Sequence, residues 1–338
     1  TIIDVNGEQV DKQTFLNAYN YTLTMQQYYA QMLQQFGGDG TVDEASILQS
    51  TLDNYISSLV LSQKAKELGF DQFTDAELAE LQAQAQEEYD TQLESIRTTY
   101  FADSELEGDA LTAEVTAYAK ANGYTLDYQL DTAKSNKISE RLKASVTDTV
   151  TITDDDLQAA LDKEVASEKE TFASTPAAYG TRVNAGTTVY YTPAGYRTIR
   201  VISVDKPTEE GVSSDEAKQQ IDALYLRLTA GEAFETLTED VKTYAICADS
   251  TTPEADVVAA AMQLTDALSY TEVLETEKAF YLAQLVEELP EHTATLEEAR
   301  ATLYDATLTD AQDTAYNETV QGWINAADVK TYTERLSD

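Results

Sequence analysis

The chain has one cysteine and one histidine, and they lie well apart in the sequence. Cys247 stands two residues before Asp249. A thiol acting as a nucleophile needs a neighbouring base to hold it as thiolate, and no histidine lies near it in sequence. The pair therefore also reads as a buried free thiol beside a loop carboxylate. His292, shortly after Pro290, has no second histidine and no cysteine cluster around it, so metal-ligand spacing cannot be built there. The triplet Asp154-Asp155-Asp156 offers hard oxygen ligands, but it lacks the alternating spacing of a calcium loop and follows Thr153. It reads as the charged first turn of a helix. A Ser/His/Asp arrangement, a phosphate-binding glycine loop and a dinucleotide fingerprint are all missing. No cofactor is implied.

A different kind of chemistry is suggested near the start. Tyr19, Tyr21, Tyr28 and Tyr29 crowd one segment, with Met25 and Met32 among them. Tyrosine and methionine make adaptable contact surfaces for varied apolar segments. The same residues could equally be helix–helix core, with the hydroxyls reaching water. The two readings can hold on different faces, and Met25, Tyr28, Tyr29 and Met32 are the candidate contact set.

These residues must be carried mainly by helices. Gly and Pro are scarce, 13 and 5 in 338 residues, while Ala, Leu, Gln and Glu are abundant. Asn6-Gly7 between Ile3, Val5 and Val10 predicts two short extended segments around a tight turn. Helix-period patterns then predict helices over 12–36, 42–68, 74–100, 110–121, 126–147 and 153–172. Thr74 with Glu77 and Thr295 with Glu298 have the form of capping boxes, and Ser213 to Glu216 reads as a further helix start. Between 174 and 204 the β-branched and aromatic residues accumulate, which marks a domain boundary. Residues 279–286 predict a closing strand, and the stretch holding Trp323 and Val329 predicts a final helix.

The formal net charge of −39 excludes nucleic acid as a partner, because phosphate binding needs clustered Lys and Arg. It repels anionic lipid and favours basic clients. No apolar run is long enough to span a bilayer. The chain opens at Thr1 without Met, which leads us to expect an export signal, with or without a lipidated cysteine, removed upstream.

Read together, a helical first part, an α/β block near the C-terminal third and a returning helical tail resemble the SurA/PrsA-like extracytoplasmic foldases. The opening Val5-Asn6-Gly7-Glu8 through Phe15 is similar to the start of their helical domain. Tyr196 to Val204 resembles the first strand of a parvulin domain. Leu228-Thr229-Ala230-Gly231-Glu232-Ala233-Phe234 resembles its helix junction, and Leu296 to Arg300 the tail helix. The resemblance implies a mainly α protein with a smaller α+β domain: a helical chaperone domain over 1–173, a linker or β extension over 174–195, a degenerate parvulin-like domain over 196–289, and C-terminal helices over 290–338 packing back on the helical domain.

The departures bear on activity. Parvulins carry a histidine after the arginine of the first strand, where this chain has Val201 after Arg200. They carry a second after an aromatic of the last strand, where Tyr281 follows Phe280. The glycine-rich loop is missing. Lowering a peptide isomerisation barrier of about 18–20 kcal/mol needs a preorganised pocket. The resemblance thus implies an exported chaperone for unfolded or newly secreted polypeptides whose parvulin domain has lost its chemistry. The alternatives are an active peptidyl-prolyl isomerase with a reduced site around Cys247, Asp249, Met262 and Tyr281, and a cell-surface adaptor with one fixed partner. Membrane association would come only through a lipid anchor, and the oligomeric state stays open.

Overall fold

The computed structural model describes residues 1–209 and 213–336. The chain forms a mainly helical protein with a smaller α+β part, in two compact units: Thr1–Thr151 with Asp310–Asp338, and Ile152–Thr309.

The first unit opens with β1 (Ile3–Val5) and β2 (Glu8–Val10), an antiparallel hairpin. Its turn residues Asn6 and Gly7 sit at φ of 51° and 90°, the left-handed pair that a two-residue turn requires. Five helices follow: α1 (Lys12–Gln35), α2 (Glu44–Glu67), α3 (Asp75–Tyr100), α4 (Gly108–Ala121) and α5 (Leu126–Thr147). Side-chain caps start most of them. Asp11 accepts from the Thr14 amide at 2.9 Å, and Thr74 and Glu77 form a reciprocal capping box. The starts of α1, α2, α3 and α5 thus follow from their own local residues, whereas Glu107 before α4 makes no side-chain cap.

The far end of the chain completes this unit. Strand β9 (Val329–Thr331) pairs with β1 in the register Ile3↔Thr331, giving the sheet order β2-β1-β9. Trp323, Ile324 and Val329 pack against a core of Ile2, Ile3, Val5, Phe15, Leu52 and Val60. Val329, read from sequence as helical, is therefore a strand residue. Its partner lies more than three hundred positions away, which no local pattern can announce.

The second unit contains α6 (Asp154–Ser174), α7 (Ala177–Asn184), β3 (Tyr191–Thr192), β4 (Tyr196–Asp205), α8 (Asp215–Thr229), β5 (Lys242–Ile246), α9 (Ala255–Ala261), β6 (Leu274–Glu275), β7 (Ala279–Leu289) and β8 (His292–Thr293). The first part of α10 (Leu296–Ala326) belongs to it as well. A four-stranded antiparallel sheet in the order β5-β4-β7-β6 is its centre. Side chains alternate along β4: Ile199 and Val201 face α9, and Ile202 faces α8. Thr153 and Asp156 form the capping box at the start of α6, and Asp154 pairs with Arg300 at 2.8 Å. Ser214 is the N-cap residue of α8 but makes no side-chain cap, whereas Ser213 accepts from the Asp215 amide.

The packing units and the sequence-based domain limits fall at different places. Leu157, Leu161 and Val165 of α6 share a core with Ala299 and Leu303 of α10, so these helices group with the sheet unit. Residues 177–184, read from sequence as linker, form α7. Its Gly180 lies so close to β5 that a Cβ would be 2.5 Å from the Ala245 carbonyl oxygen. The Asn184 amide pairs with both the N–H and the C=O of Ala245, covering the free edge of β5.

Candidate functional site

The face of the sheet under α9 is where the resemblance would place prolyl chemistry. Val201 and Tyr281 both point there, from β4 and β7, with Ser203 opposite Tyr281 and Val201 opposite Ala283. They are buried, at 3% and 9% exposure. Val257, Val258 and Ala261 of α9 fill the space above them, and Met262 and Leu264 pack at the margin. The Tyr281 hydroxyl donates to Glu254 at 3.1 Å. Burial, followed by that carboxylate, pushes the Tyr281 pKa up to about 12. At neutral pH this phenol is a neutral hydrogen-bond donor. Arg197 fastens the lid: its guanidinium donates to the carbonyls of Ala261, Met262 and Leu264 and pairs with Glu288 at 2.9 Å. A cation on the last carbonyls of a helix is a favourable C-terminal arrangement.

Met262 and Tyr281 therefore share one face. Cys247 does not. Alternation along β5 sends Tyr244 and Ile246 toward α9, and Ala245 and Cys247 to the other side. There Cys247 packs among Phe172, Tyr179 and Tyr196. The Tyr179 and Tyr196 rings lie 4.6 Å apart, and Tyr196 donates its hydroxyl to the Pro176 carbonyl. Burial and the neighbouring Cys247 push the Tyr196 phenol above its usual range. Ser250 Oγ accepts from the Cys247 amide at 3.0 Å and lies 3.7 Å from its Sγ. Asp249 is exposed. The four sequence candidates thus divide between two faces, and no base stands beside the thiol among the described residues.

His292 is exposed on β8, its Nε2 3.2 Å from Glu298, which also caps α10 through Thr295. Among the described residues no group of three or more His, Cys, Asp or Glu side chains converges as metal ligands do. No described helix is long and apolar enough to cross a membrane.

The other candidate set lies on α1. Only Phe15 and Ala30 of this helix are buried. Met25, Tyr28, Tyr29 and Met32 are exposed, and Tyr21, Leu33 and Phe36 extend the same surface, with Phe36 85% exposed. The Tyr28 and Tyr29 rings meet edge to face at 6.0 Å. These large apolar side chains lie together on one exposed surface element. The first half of α1 packs into the core through Phe15, and the second half buries Ala30 while leaving the Tyr, Met and Phe side chains exposed.

One groove escaped the sequence reading. The facing sides of α2 and α5 line a cleft of about 550 Å³ with Leu61, Ala65, Ile138 and Leu142 at its base and Ser57, Ser58, Ser62, Ser135 and Ser139 around it. Serines at helical spacing on both helices were the available signal. They pass for ordinary surface residues until the two helices are set side by side.

No family model and no curated protein matches the sequence. SurA-like chaperones and PrsA foldases are among the structural neighbours. The chain is 10% identical to one of the two related SurA-like chaperones of Campylobacter jejuni, PEB4 and Cj1289, over 98% of both chains, with a TM-score of 0.36. It is 16% identical to PrsA of Bacillus subtilis, over 82% of this chain and 83% of that one, with a TM-score of 0.24. The foldase PrsA of Lactococcus lactis is 16% identical over 99% and 95% of the two chains, with a TM-score of 0.23. At such identities and scores the likeness carries nothing about activity.

Proposed function

We propose that this protein is an extracytoplasmic foldase-type chaperone that holds unfolded or newly secreted polypeptides, and that its parvulin-like domain lacks prolyl isomerase activity. The observation that carries the proposal is the exposed, uncharged apolar half of α1. On such a surface Tyr and Phe give contact area at little entropy cost, and flexible Met adapts to varied apolar segments. The strongly acidic remainder keeps a loaded complex soluble and draws basic clients. The inactivity of the α+β part is supported by the closed face under α9. By the resemblance Val201 and Tyr281 replace two histidines, and Val257, Val258 and Ala261 pack over both side chains.

The test is the refolding of a protein whose slow phase is limited by proline isomerisation, a step of tens to hundreds of seconds uncatalysed. Suppressed aggregation with an unchanged slow phase is the expected result. A faster slow phase at substoichiometric amounts would establish the isomerase instead, and no effect on either would favour the fixed-partner adaptor. Replacing Met25, Tyr28, Tyr29 and Met32 together by Ser is expected to weaken client binding by about thirtyfold, as for loss of a contact worth ~2 kcal/mol. Helicity should be unchanged, because all four are exposed. Undiminished binding by this variant would remove α1 from the mechanism.

A further inference from the structure

Among the described residues one charged side chain is buried. Glu168 of α6 is 2% exposed, although 61 residues of this chain are acidic. A carboxylate in such a place needs partners to offset its lost hydration. Its Oε2 accepts from two backbone N–H groups, of Tyr190 at 2.7 Å and Tyr191 at 2.8 Å. Its Oε1 faces Arg182 of α7 at 3.5 Å, a long contact, and that guanidinium also lies over the Phe172 ring, 5.4 Å from its centroid.

Tyr190 and Tyr191 belong to a narrow ribbon. Strand β3 pairs with β8 in the register Tyr191↔Thr293 and Thr192↔His292, and the Ala294 amide donates to the Tyr190 carbonyl at 2.7 Å. β3 lies just before β4 and β8 just after β7, so the chain enters and leaves the four-stranded sheet through this ribbon. Two strands of two residues are too short to hold together unaided. The Tyr190 and Tyr191 side chains pack on the core shared by α6 and α10, and the two amides end on Glu168. The charges around it are few. Glu164 and Lys169 neighbour it on α6, with the Lys169 ammonium 4.9 Å from the Tyr191 ring. β8 and α10 bring His292 and Glu298, which pair with each other at 3.2 Å, and Glu291 accepts from the Tyr191 hydroxyl at 2.9 Å.

We infer that Glu168 is a proton-operated latch on this ribbon, tighter when its carboxyl is protonated and looser when it is charged. Oε2 keeps both amides in either state, while a proton on Oε1 removes the buried charge that Arg182 offsets poorly from 3.5 Å. Burial outweighs the two amides and Arg182, and it holds the carboxyl above its ordinary value of 4.5. The latched ribbon therefore binds the proton more strongly than the opened one. Its proton-linked stability is complete below pH 4.5 and is lost as pH rises through the raised value. Mild acid thus fastens the two crossings of the sheet to α6, and neutral pH loosens them. This goes beyond client holding and does not depend on it, since the latch is read without any client present.

Hydrogen exchange of the Tyr190, Tyr191 and Ala294 amides in the full chain, corrected for the intrinsic pH dependence of exchange, is the experiment. Their protection is expected to rise severalfold between about pH 7.5 and pH 4.5, within the roughly tenfold per pH unit that one carboxyl allows. Glu168→Gln keeps an acceptor oxygen for both amides and carries no charge, so it should lose that rise. Arg182 is 38% exposed, and Arg182→Gln tests the same point in a chain that keeps Glu168. With the cation gone the carboxyl takes its proton more readily, and the rise should move to higher pH. Protection that is flat or falls toward acid in the parent protein overturns the proposal. So does a rise that persists in Glu168→Gln, or one that Arg182→Gln leaves in place.

Discussion

The Tyr281 phenol and the Cys247 thiol differ in what surrounds them more than in how deeply they lie. Tyr281 has a carboxylate partner, Glu254, in a face otherwise built of Val, Ile, Ala and Leu with Tyr244 and Met262 beside them. Burial raises its pKa to about 12, above the ordinary tyrosine value of 10.0. The folded protein therefore holds this proton where the unfolded chain has released it. Its contribution to stability is complete below pH 10 and is lost as pH rises through about 12. Ultraviolet titration of tyrosinate should show a late-ionising group that is absent in Tyr281→Phe. A difference spectrum between the two proteins that titrates near the ordinary value would contradict the buried pairing. Cys247 is legible in the sequence as an isolated thiol. What the sequence could not show is the face it occupies. Strand alternation places it under Phe172 and Tyr179, so it does not share the face of Met262 and Tyr281.

At the level of elements, the helices were the most legible part, since caps and apolar periodicity are properties of neighbouring residues. Thr74, Thr153 and Thr295 each cap as their spacing with Glu77, Asp156 and Glu298 predicts. Helix α7 was not legible. Its Ala177-Ala178-Tyr179-Gly180 lies among residues with strong β character, and its role depends on β5. Gly180 gives α7 room against the Ala245 carbonyl, and Asn184 closes the sheet edge from the end of the same helix. Gly180→Ala must push α7 away from the strand, because the obstruction is backbone. A loss of about 1–3 kcal/mol is expected, the cost of inserting a methyl group into a packed contact. Urea unfolding monitored by the aromatic near-ultraviolet signal would measure it. A stability equal to the parent protein would show that α7 is not seated on β5 in this way.

For the whole molecule the dominant quantity is the imbalance of 61 acidic against 22 basic residues. The ion pairs that do form are mostly exposed, such as Lys137–Glu140 and Arg97–Glu94, and pairs of this kind contribute ~1 kcal/mol or less. Self-repulsion thus outweighs local pairing. The thermal midpoint should rise as salt is added from ~0.01 to ~0.15 M, where screening shortens from ~30 to ~8 Å. A midpoint that falls over this range would mean that the exposed ion pairs dominate after all. The sequence by itself determined what depends on near neighbours or on totals: helix positions and most of their caps, the Asn6-Gly7 turn, the acidic charge and the lack of a histidine near Cys247 along the chain. It also determined that α1 carries no charge after Lys12. Only the tertiary structure decided that Val329 is a strand, that Cys247 and Tyr281 occupy opposite faces, and that the Tyr, Met and Phe side chains in the second half of α1 lie outside the core. Each of these is set by a pairing between residues distant along the chain. The same apolar spacing serves a buried helix and an exposed one until the partner surface is in place or found to end.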